Sequence, residues 1–190
     1  QNSRMLCSIL LLDKEGKFFE QVIAPSLHDF YNEALMNVKI GRGVGSCGTA
    51  AYIKECVIVE DITTDPYWKE YKALALRAGL KSCWSEPIFA SDGSVLGTFA
   101  IYHSSPQMPQ ESDKLLIEYS ANLASIAIEK SMAATKLKES EELYRRLTED
   151  VTDVIWRTDK DLFITYISPA DEKFRGYTAD EVVGKHVFEM

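Results

Sequence analysis

Residues 81–103, KSCWSEPIFASDGSVLGTFAIYH, predict the centre of the fold. Two apolar runs, at 81–90 and 95–103, flank the polar segment SDGS at 91–94. An Asp-Gly pair between two apolar runs is a strong signal for a tight turn that joins antiparallel strands. We therefore expect this segment to form a β-hairpin, and we interpret the rest of the chain around it.

The chain before this hairpin alternates between strand and helix patterns. The apolar run MLCSILLL at 5–12 is followed by a turn and by a second strand at 17–24, which predicts another hairpin. Helices are expected within 28–40, 49–55 and 63–80, and a β-branched strand at 56–62. Hairpins that alternate with helices predict an α+β fold, in which helices flank an antiparallel sheet.

Composition and charge exclude several classes of protein. The 21 Lys and Arg residues against 29 Asp and Glu residues give a formal charge of −8, which argues against nucleic acid as a partner. The longest apolar run near the N-terminus is Ile9 to Leu12, and even Met5 to Leu12, with Ser8 inside it, is far shorter than the about 18 residues of a membrane span. We therefore expect no membrane contact in this segment. Four cysteines without C-x-x-C spacing favour a reducing, cytoplasmic compartment, and a membrane anchor elsewhere in a longer protein is compatible with this.

A long helix is predicted at 112–148, where the sequence is rich in charge and holds neither Gly nor Pro. It would be roughly 55 Å long, more than one small domain needs. Apolar side chains recur along it with heptad spacing, although Lys130 and Ser140 interrupt the series. The members of this seam are Leu116, Tyr119, Leu123, Ile126, Ala133, Leu137, Tyr144, Leu147 and Val151. Such a seam predicts a parallel coiled coil that joins two domains in a homodimer; a terminal helix packed on its own sheet is the alternative.

The last 40 residues return to short strands and helices. Strands are predicted at 153–159 and 162–168, and two short helices within 169–186, the second opened by a capping box of Thr178 and Glu181. Two strands cannot enclose a core, so we expect a second domain that begins here and is cut short. The chain also begins with a residue other than Met, and we expect it to be a piece of a longer protein.

Four stretches in the first 130 residues resemble a GAF domain of the bacterial and archaeal signalling type. They are GVGSCGTAA (43–51), VIVEDITTDPYW (57–68), GLKSCWSEPI (79–88) and DGSVLGTFAIYH (92–103). The resemblance implies a GAF core at 1–111 that lacks the usual N-terminal helix of the family. It also implies that the start of the helix at 112–148 belongs to this domain. The resemblance further implies that this domain binds an unidentified small molecule or serves as a dimer scaffold.

Residues 153–186, DVIWRTDKDLFITYISPADEKFRGYTADEVVGKH, resemble the first half of a PAS domain of the sensory-box type, which we place at 149–190. Family members usually have Asn where this chain has Ser168. The half of the PAS sheet that makes many haem or flavin contacts is absent, so the cofactor is unknown. Tandem sensory modules imply a sensor histidine kinase of a two-component phosphorelay, or alternatively a cyclic-di-GMP enzyme of the GGDEF/EAL type. The segment itself is expected to have no enzymatic activity.

The glycine-rich segment at 43–48 has two other interpretations. Its G-x-G-x-x-G spacing matches a dinucleotide-binding fingerprint, but the short, charged residues before it do not resemble the buried parallel strand that this fingerprint requires. Cys47 and Cys83 suggest a GAF-type free methionine sulfoxide reductase, in which one thiolate attacks sulfur and a second cysteine resolves the disulfide. Those enzymes carry acidic residues on the late strand, where this chain has Ala100 and Tyr102. Core packing is therefore favoured for both cysteines.

The remaining candidates are aromatic and polar residues expected around the GAF pocket. Aromatic walls with a few polar groups are typical of small-ligand sites, although Trp and Tyr are also common packing residues. The candidate ligand-binding residues are Trp68, Tyr71, Trp84, Glu86, Tyr102, Cys47 and Cys83. No catalytic residue is assigned, and no metal either, because His28, His103 and His186 lack partners at ligand spacing.

Overall fold

The computed structural model describes residues 5–149 and 153–189, and the side chains of the long helix up to residue 146. A five-stranded antiparallel sheet forms the core of the first of its two compact units. The strands are β1 Leu6–Leu12, β2 Phe19–Ile23, β3 Val57–Val59, β4 Ser82–Phe89 and β5 Val95–His103. Their order in the sheet is β2-β1-β5-β4-β3. The predicted central hairpin is confirmed as β4 and β5.

Four helices accompany this sheet, as the predicted α+β class requires. They are α1 Asp29–Leu35, α2 Gly45–Ile53, α3 Lys72–Arg77 and α4 Glu111–Glu149. A 3₁₀ turn at Pro66–Trp68 precedes α3, and the Asp65 carboxylate caps this turn by accepting a hydrogen bond from the Tyr67 N–H at 2.8 Å.

The helix α2 begins earlier than the sequence predicts. We expected a helix over 49–55, but it starts at Gly45, inside the glycine-rich segment. The Val44 carbonyl already accepts a hydrogen bond from the Gly48 N–H at 3.1 Å, which closes the first helical turn. Glycine content favours a loop in isolation, and packing of this turn against the sheet overrides that preference.

The strand β3 is shorter than the expected strand at 56–62 and ends at Val59. Asp61 turns the chain, because its carboxylate accepts hydrogen bonds from the N–H and the hydroxyl of Thr63, at 2.8 and 2.7 Å. Such a local side-chain bond competes with the sheet for the backbone, and β-branched composition does not reveal it.

Both faces of the sheet are covered. Successive side chains of a strand point to opposite faces. Cys83 and Tyr102, which lie opposite each other in β4 and β5, belong to the core beneath α2. Trp84 and Ile101, also opposite each other, pack with Ile117 of α4 on the other face. The sheet is therefore a central layer between α2 and α4.

The helix α4 carries two different stripes along its 39 residues, a length of about 58 Å. Ile117, Ala121 and Ala124 are buried against the sheet. The apolar seam predicted for a coiled coil is exposed, with Leu123 at 68% and Ile126 at 65%. The side chains of the last two seam positions, 147 and 151, lie outside the described residues. None of the helices within the described ranges has the length and apolarity needed to cross a membrane.

The chain divides into two compact units, 1–130 and 131–190. The second unit holds the antiparallel hairpin of β6 Trp156–Thr158 and β7 Ile164–Ile167, followed by α5 Ala170–Arg175, α6 Ala179–Val182 and a 3₁₀ turn at Val187–Glu189. The Thr178 N–H donates a hydrogen bond to the Glu181 carboxylate at 2.9 Å, which confirms the predicted capping box.

Gly97 provides a test of the sheet. It lies opposite Leu11 of β1, and a Cβ at this position would overlap the carbonyl oxygen of Leu10. Because a paired backbone cannot move aside cheaply, Gly97→Ala is expected to lower the free energy of unfolding by about 2–3 kcal/mol in urea denaturation. Gly41→Ala is the control, since its Cβ would meet the Val44 side chain at an ordinary 3.5 Å. Unchanged stability of Gly97→Ala would contradict this packing of β1 on β5.

Candidate functional site

The candidate site lies where the first turn of α2 meets the sheet. Ser46 and Cys47 of this turn face β4 and β5, and both are buried. The Ser46 hydroxyl donates a hydrogen bond to the Cys83 carbonyl at 3.2 Å and accepts one from the indole N–H of Trp68 at 3.1 Å. These two bonds connect α2, the sheet and the 3₁₀ turn at one point.

The Tyr102 hydroxyl is the polar centre of the site. It forms hydrogen bonds with the Ser8 hydroxyl at 3.2 Å and with the Cys47 thiol at 3.4 Å. The Tyr31 ring of α1 meets the Tyr102 ring edge to face, with 6.2 Å between the ring centroids. A buried tyrosine hydroxyl usually has hydrogen-bond partners; here they come from β1 and α2, and α1 supplies the ring contact.

A cavity of about 20 Å³ lies above this cluster, which is room for about one water molecule. Its walls come from both hairpin strands β1 and β2, from α1, α2 and α3, and from β5. The residues that line it are Leu10, Phe19, Tyr31, Leu35, Val38, Val44, Gly45, Ser46, Cys47, Gly48, Trp68, Tyr71, Leu74 and Tyr102. Aromatic and aliphatic walls around a small polar group are typical of sites for small molecules.

The two buried thiols next to this cavity differ in acidity. A hydrogen bond with the Cys83 thiol lowers the pKa of Cys47 to about 7, against the opposing effect of burial, and Tyr102 acts in the same direction. Burial raises the pKa of Cys83 well above its ordinary value. Burial likewise raises the pKa of Tyr102 and Tyr31, so both phenols stay neutral. Cys47 is therefore the group of this cluster that deprotonates first.

The structure brings together five of the seven residues predicted for the pocket. Trp68, Tyr71, Tyr102 and Cys47 line the cavity, and Cys83 lies beneath them with its carbonyl bound to Ser46.

Trp84 and Glu86 do not belong to this cavity, which corrects the predicted grouping. Trp84 lies on the sheet face that packs against α4, and its indole N–H donates a hydrogen bond to the Gln107 carbonyl at 3.1 Å. Glu86 is on the same face, half-buried beside Cys56; burial raises its pKa. The reason is the alternation of side chains in β4, which sends Cys83 and Trp84 to opposite faces.

Three residues of the site were missed by the sequence analysis: Ser46 and Tyr31, which line the cavity, and Ser8, which contacts the Tyr102 hydroxyl. Ser8 was visible as the one polar residue in the apolar run 5–12. Ser46 precedes Cys47 in the glycine-rich segment, where a loop was expected. Nothing local marks Tyr31, since α1 reaches the cavity only through tertiary packing.

The structure also tests the dinucleotide-binding interpretation of the glycine-rich segment at 43–48. A dinucleotide fingerprint requires a parallel strand directly before the glycine loop. Lys39, two residues before Gly41, forms an isolated antiparallel bridge with Phe18. The described sheet is antiparallel throughout, so no parallel strand of it precedes the glycines. The dinucleotide interpretation is therefore wrong for this fold.

An antiparallel sheet covered by helices on both faces, with a small cavity under α2, is the architecture of a sensory domain of signalling proteins, and family models agree with it. A family model for the GAF domain matches residues 2–129, and a model for the PAS fold matches 142–190. The chain belongs to the GAF domain family, and a PAS fold follows the GAF domain. This confirms the resemblance seen in the sequence.

Comparison with known proteins finds a relative that matches almost the whole chain. The methyl sulfide methyltransferase-associated sensor of Methanosarcina acetivorans is 36% identical over 188 residues, which are 98% of this chain and 19% of that protein. The chain thus spans about a fifth of the length of this relative.

Solved structures agree on the fold. A domain assigned to a two-component sensor histidine kinase of Sinorhizobium meliloti has a TM-score of 0.55 and 22% identity, over 72% of this chain and 86% of that chain. A free methionine-R-sulfoxide reductase of Neisseria meningitidis, solved with its substrate, has a TM-score of 0.50 and 21% identity, over 68% and 70% of the two chains. At these identities the likeness shows the fold alone.

The acidity of Cys47 can be measured directly. Thiolate absorbance near 240 nm is expected to rise with pH around a midpoint of about 7, because the folded protein lowers the pKa of Cys47. Cys47→Ser should remove this step. Cys56→Ser is the control and should leave it unchanged, since burial and Glu86 raise the pKa of Cys56 to about 12. A first thiolate step near pH 9 in the wild type would contradict the assignment.

Proposed function

We propose that this chain is the sensing and signal-transmitting segment of a larger sensor histidine kinase. In this proposal the GAF cavity binds a small molecule, the helix at 112–148 transmits the resulting change, and the PAS domain at 149–190 receives it. The observation that carries the proposal is the uninterrupted helix α4, Glu111–Glu149, which has one stripe buried in the GAF core and a second apolar stripe exposed.

The buried stripe ties α4 to the sheet that bears the cavity. Ile117 packs with Trp84 and Ile101, and Ala121 and Ala124 pack with Ile88. Trp84 directly follows Cys83 in β4, and Ile101 directly precedes Tyr102 in β5. A ligand that shifts β4 or β5 would therefore act on α4 through adjacent residues of the same strands. It can do so only if it binds the two arrangements with different affinity.

The exposed seam supports a parallel homodimer through α4. Tyr119, Leu123, Ile126 and Leu137 are each more than 60% exposed in the single chain. Water contact of so many large apolar side chains along one line is unfavourable, and a second copy of the same helix would bury them at heptad spacing. Lys130 and Ser140 within the seam would fix the register of such a pair at some cost in stability.

The kinase output is supported by the resemblance and by the relative. Tandem GAF and PAS modules imply a histidine kinase most often, and the 36% identical protein of Methanosarcina acetivorans is named as a sensor. Reductase activity has less support, because the cavity residues of the described chain include no carboxylate. Ala100 and Tyr102 occupy the β5 positions at which the reductases carry acids.

The dimer can be tested with charge substitutions on the seam. Leu123→Glu together with Ile126→Glu would bury carboxylates between the helices, so we expect the variant to be monomeric at micromolar concentration in analytical ultracentrifugation, where the wild type is a dimer. Met132→Glu is the matched control, since Met132 is 57% exposed but lies off the seam. A monomeric wild type, or equal behaviour of both variants, would contradict the dimer.

Signal transmission can be tested in the longer protein by changing the phase of α4. One Ala inserted after Thr135 rotates the following seam by about 100°, whereas seven inserted residues restore its phase to within about 20°. We expect the single insertion to change the rate of histidine autophosphorylation by ATP strongly, and the heptad insertion to preserve it. Equal rates for both would show that the helix transmits no rotation, and no phosphohistidine in the wild type would exclude the kinase.

A further inference from the structure

We infer that the cavity selects a small uncharged molecule with an apolar body and one polar atom, which the Tyr102 hydroxyl binds. This inference rests on the proposal above that the cavity is a ligand site, and it names the class of ligand. It follows from the charge of the walls, from their shape and from the polar group at their base.

The cavity walls lack carboxylate, ammonium, guanidinium and imidazole side chains in the part of the chain that the structure describes. Among the residues of the described chain that line the cavity, none is Asp, Glu, Lys, Arg or His. An ion that enters an apolar site loses its hydration, and without a partner of opposite charge this loss is not repaid. Amino acids, nucleotides and other strongly charged metabolites are therefore disfavoured here.

The N-terminal turn of α2 adds a partial positive charge at the cavity. Gly45, Ser46 and Cys47 line the cavity at the positive end of the helix dipole, which by itself would favour an anion. This dipole is equivalent to about half an elementary charge, which does not replace the hydration that an ion loses on entering an apolar site. A neutral guest is therefore still favoured.

The shape of the cavity limits the size of the guest. Phe19, Tyr31 and Trp68 are almost fully buried, so their rings form fixed walls. The volume of about 20 Å³ has room for little more than one water molecule. Leu35, Val38, Tyr71 and Leu74 are only partly buried, so these lining residues have room to move outwards. A guest of a few heavy atoms requires such a displacement.

The polar groups at the base of the cavity are few and uncharged. The Tyr102 hydroxyl contacts Ser8 and Cys47, and the Tyr31 phenol also interacts with it. The Trp68 indole N–H and the Ser46 hydroxyl are already paired. A polar atom of the guest therefore binds the Tyr102 hydroxyl in exchange for one of its present contacts.

Three probes of matched size test this inference on the whole chain: butanone, butyrate and butylammonium. At pH 6 the Cys47 thiol is protonated, because its pKa is about 7. Titration followed by ¹H–¹⁵N NMR should show saturable shifts of the α2 and β5 amides with butanone. The two ions should bind at least about 100-fold more weakly, since each must lose its hydration.

Two variants assign the binding to this cavity. Tyr102→Phe removes only the hydroxyl and should weaken butanone binding by about three- to tenfold. Tyr52→Phe is the matched control and should have no effect, because Tyr52 lies on α2 but is 58% exposed. Leu74→Phe should fill the cavity and abolish binding, which keeps the test available if Tyr102→Phe does not fold.

The outcomes separate this inference from the proposed function. Butyrate or butylammonium bound as tightly as butanone would overturn the ligand class and leave the cavity as a ligand site. No saturable binding by any probe would overturn both the class and the role of the cavity. Butanone binding that depends on Tyr102, together with a phase-insensitive α4, would support the ligand class and overturn transmission through the helix.

Discussion

Burial of both faces of the β4–β5 hairpin is the constraint on which this structure depends. One face holds Cys83 and Tyr102 beneath α2, and the other holds Trp84 and Ile101 against α4. A sheet covered on one side only would leave half of these side chains in water, at a cost of roughly 1.5–3 kcal/mol for each large apolar residue. Both α2 and α4 are therefore needed to bury the two faces of the hairpin, and each lies on the face that it covers.

The same constraint places the candidate site close to α4. The cavity and α4 lie on opposite faces, separated only by the thickness of the sheet, and neighbouring residues of one strand serve the two layers. This arrangement is compatible with coupling because close-packed interiors transmit small displacements. It also explains why the cavity is small, since the aromatic residues that line it are part of the core as well.

The polar side chains around the cavity form two hydrogen-bonded groups. The Ser46 hydroxyl links Trp68 to Cys83, and the Tyr102 hydroxyl links Ser8 to Cys47. Buried hydroxyls and indoles are costly without partners, so these contacts hold α2 and the 3₁₀ turn in register with the sheet. They also bring two thiols of different acidity to one place, which separate sequence segments do not reveal.

The sequence by itself determined the features that depend on neighbouring residues: the central hairpin with its Asp-Gly turn, the long helix with its apolar seam, and the capping box at Thr178. Period-two alternation in 81–90 also implied that Cys83 and Trp84 face opposite sides, a signal that the grouping of pocket candidates overlooked. Only the tertiary structure decided which side holds the cavity, because that depends on where α1, α2 and α4 pack. Distant segments make those contacts, and local periodicity carries no information about them.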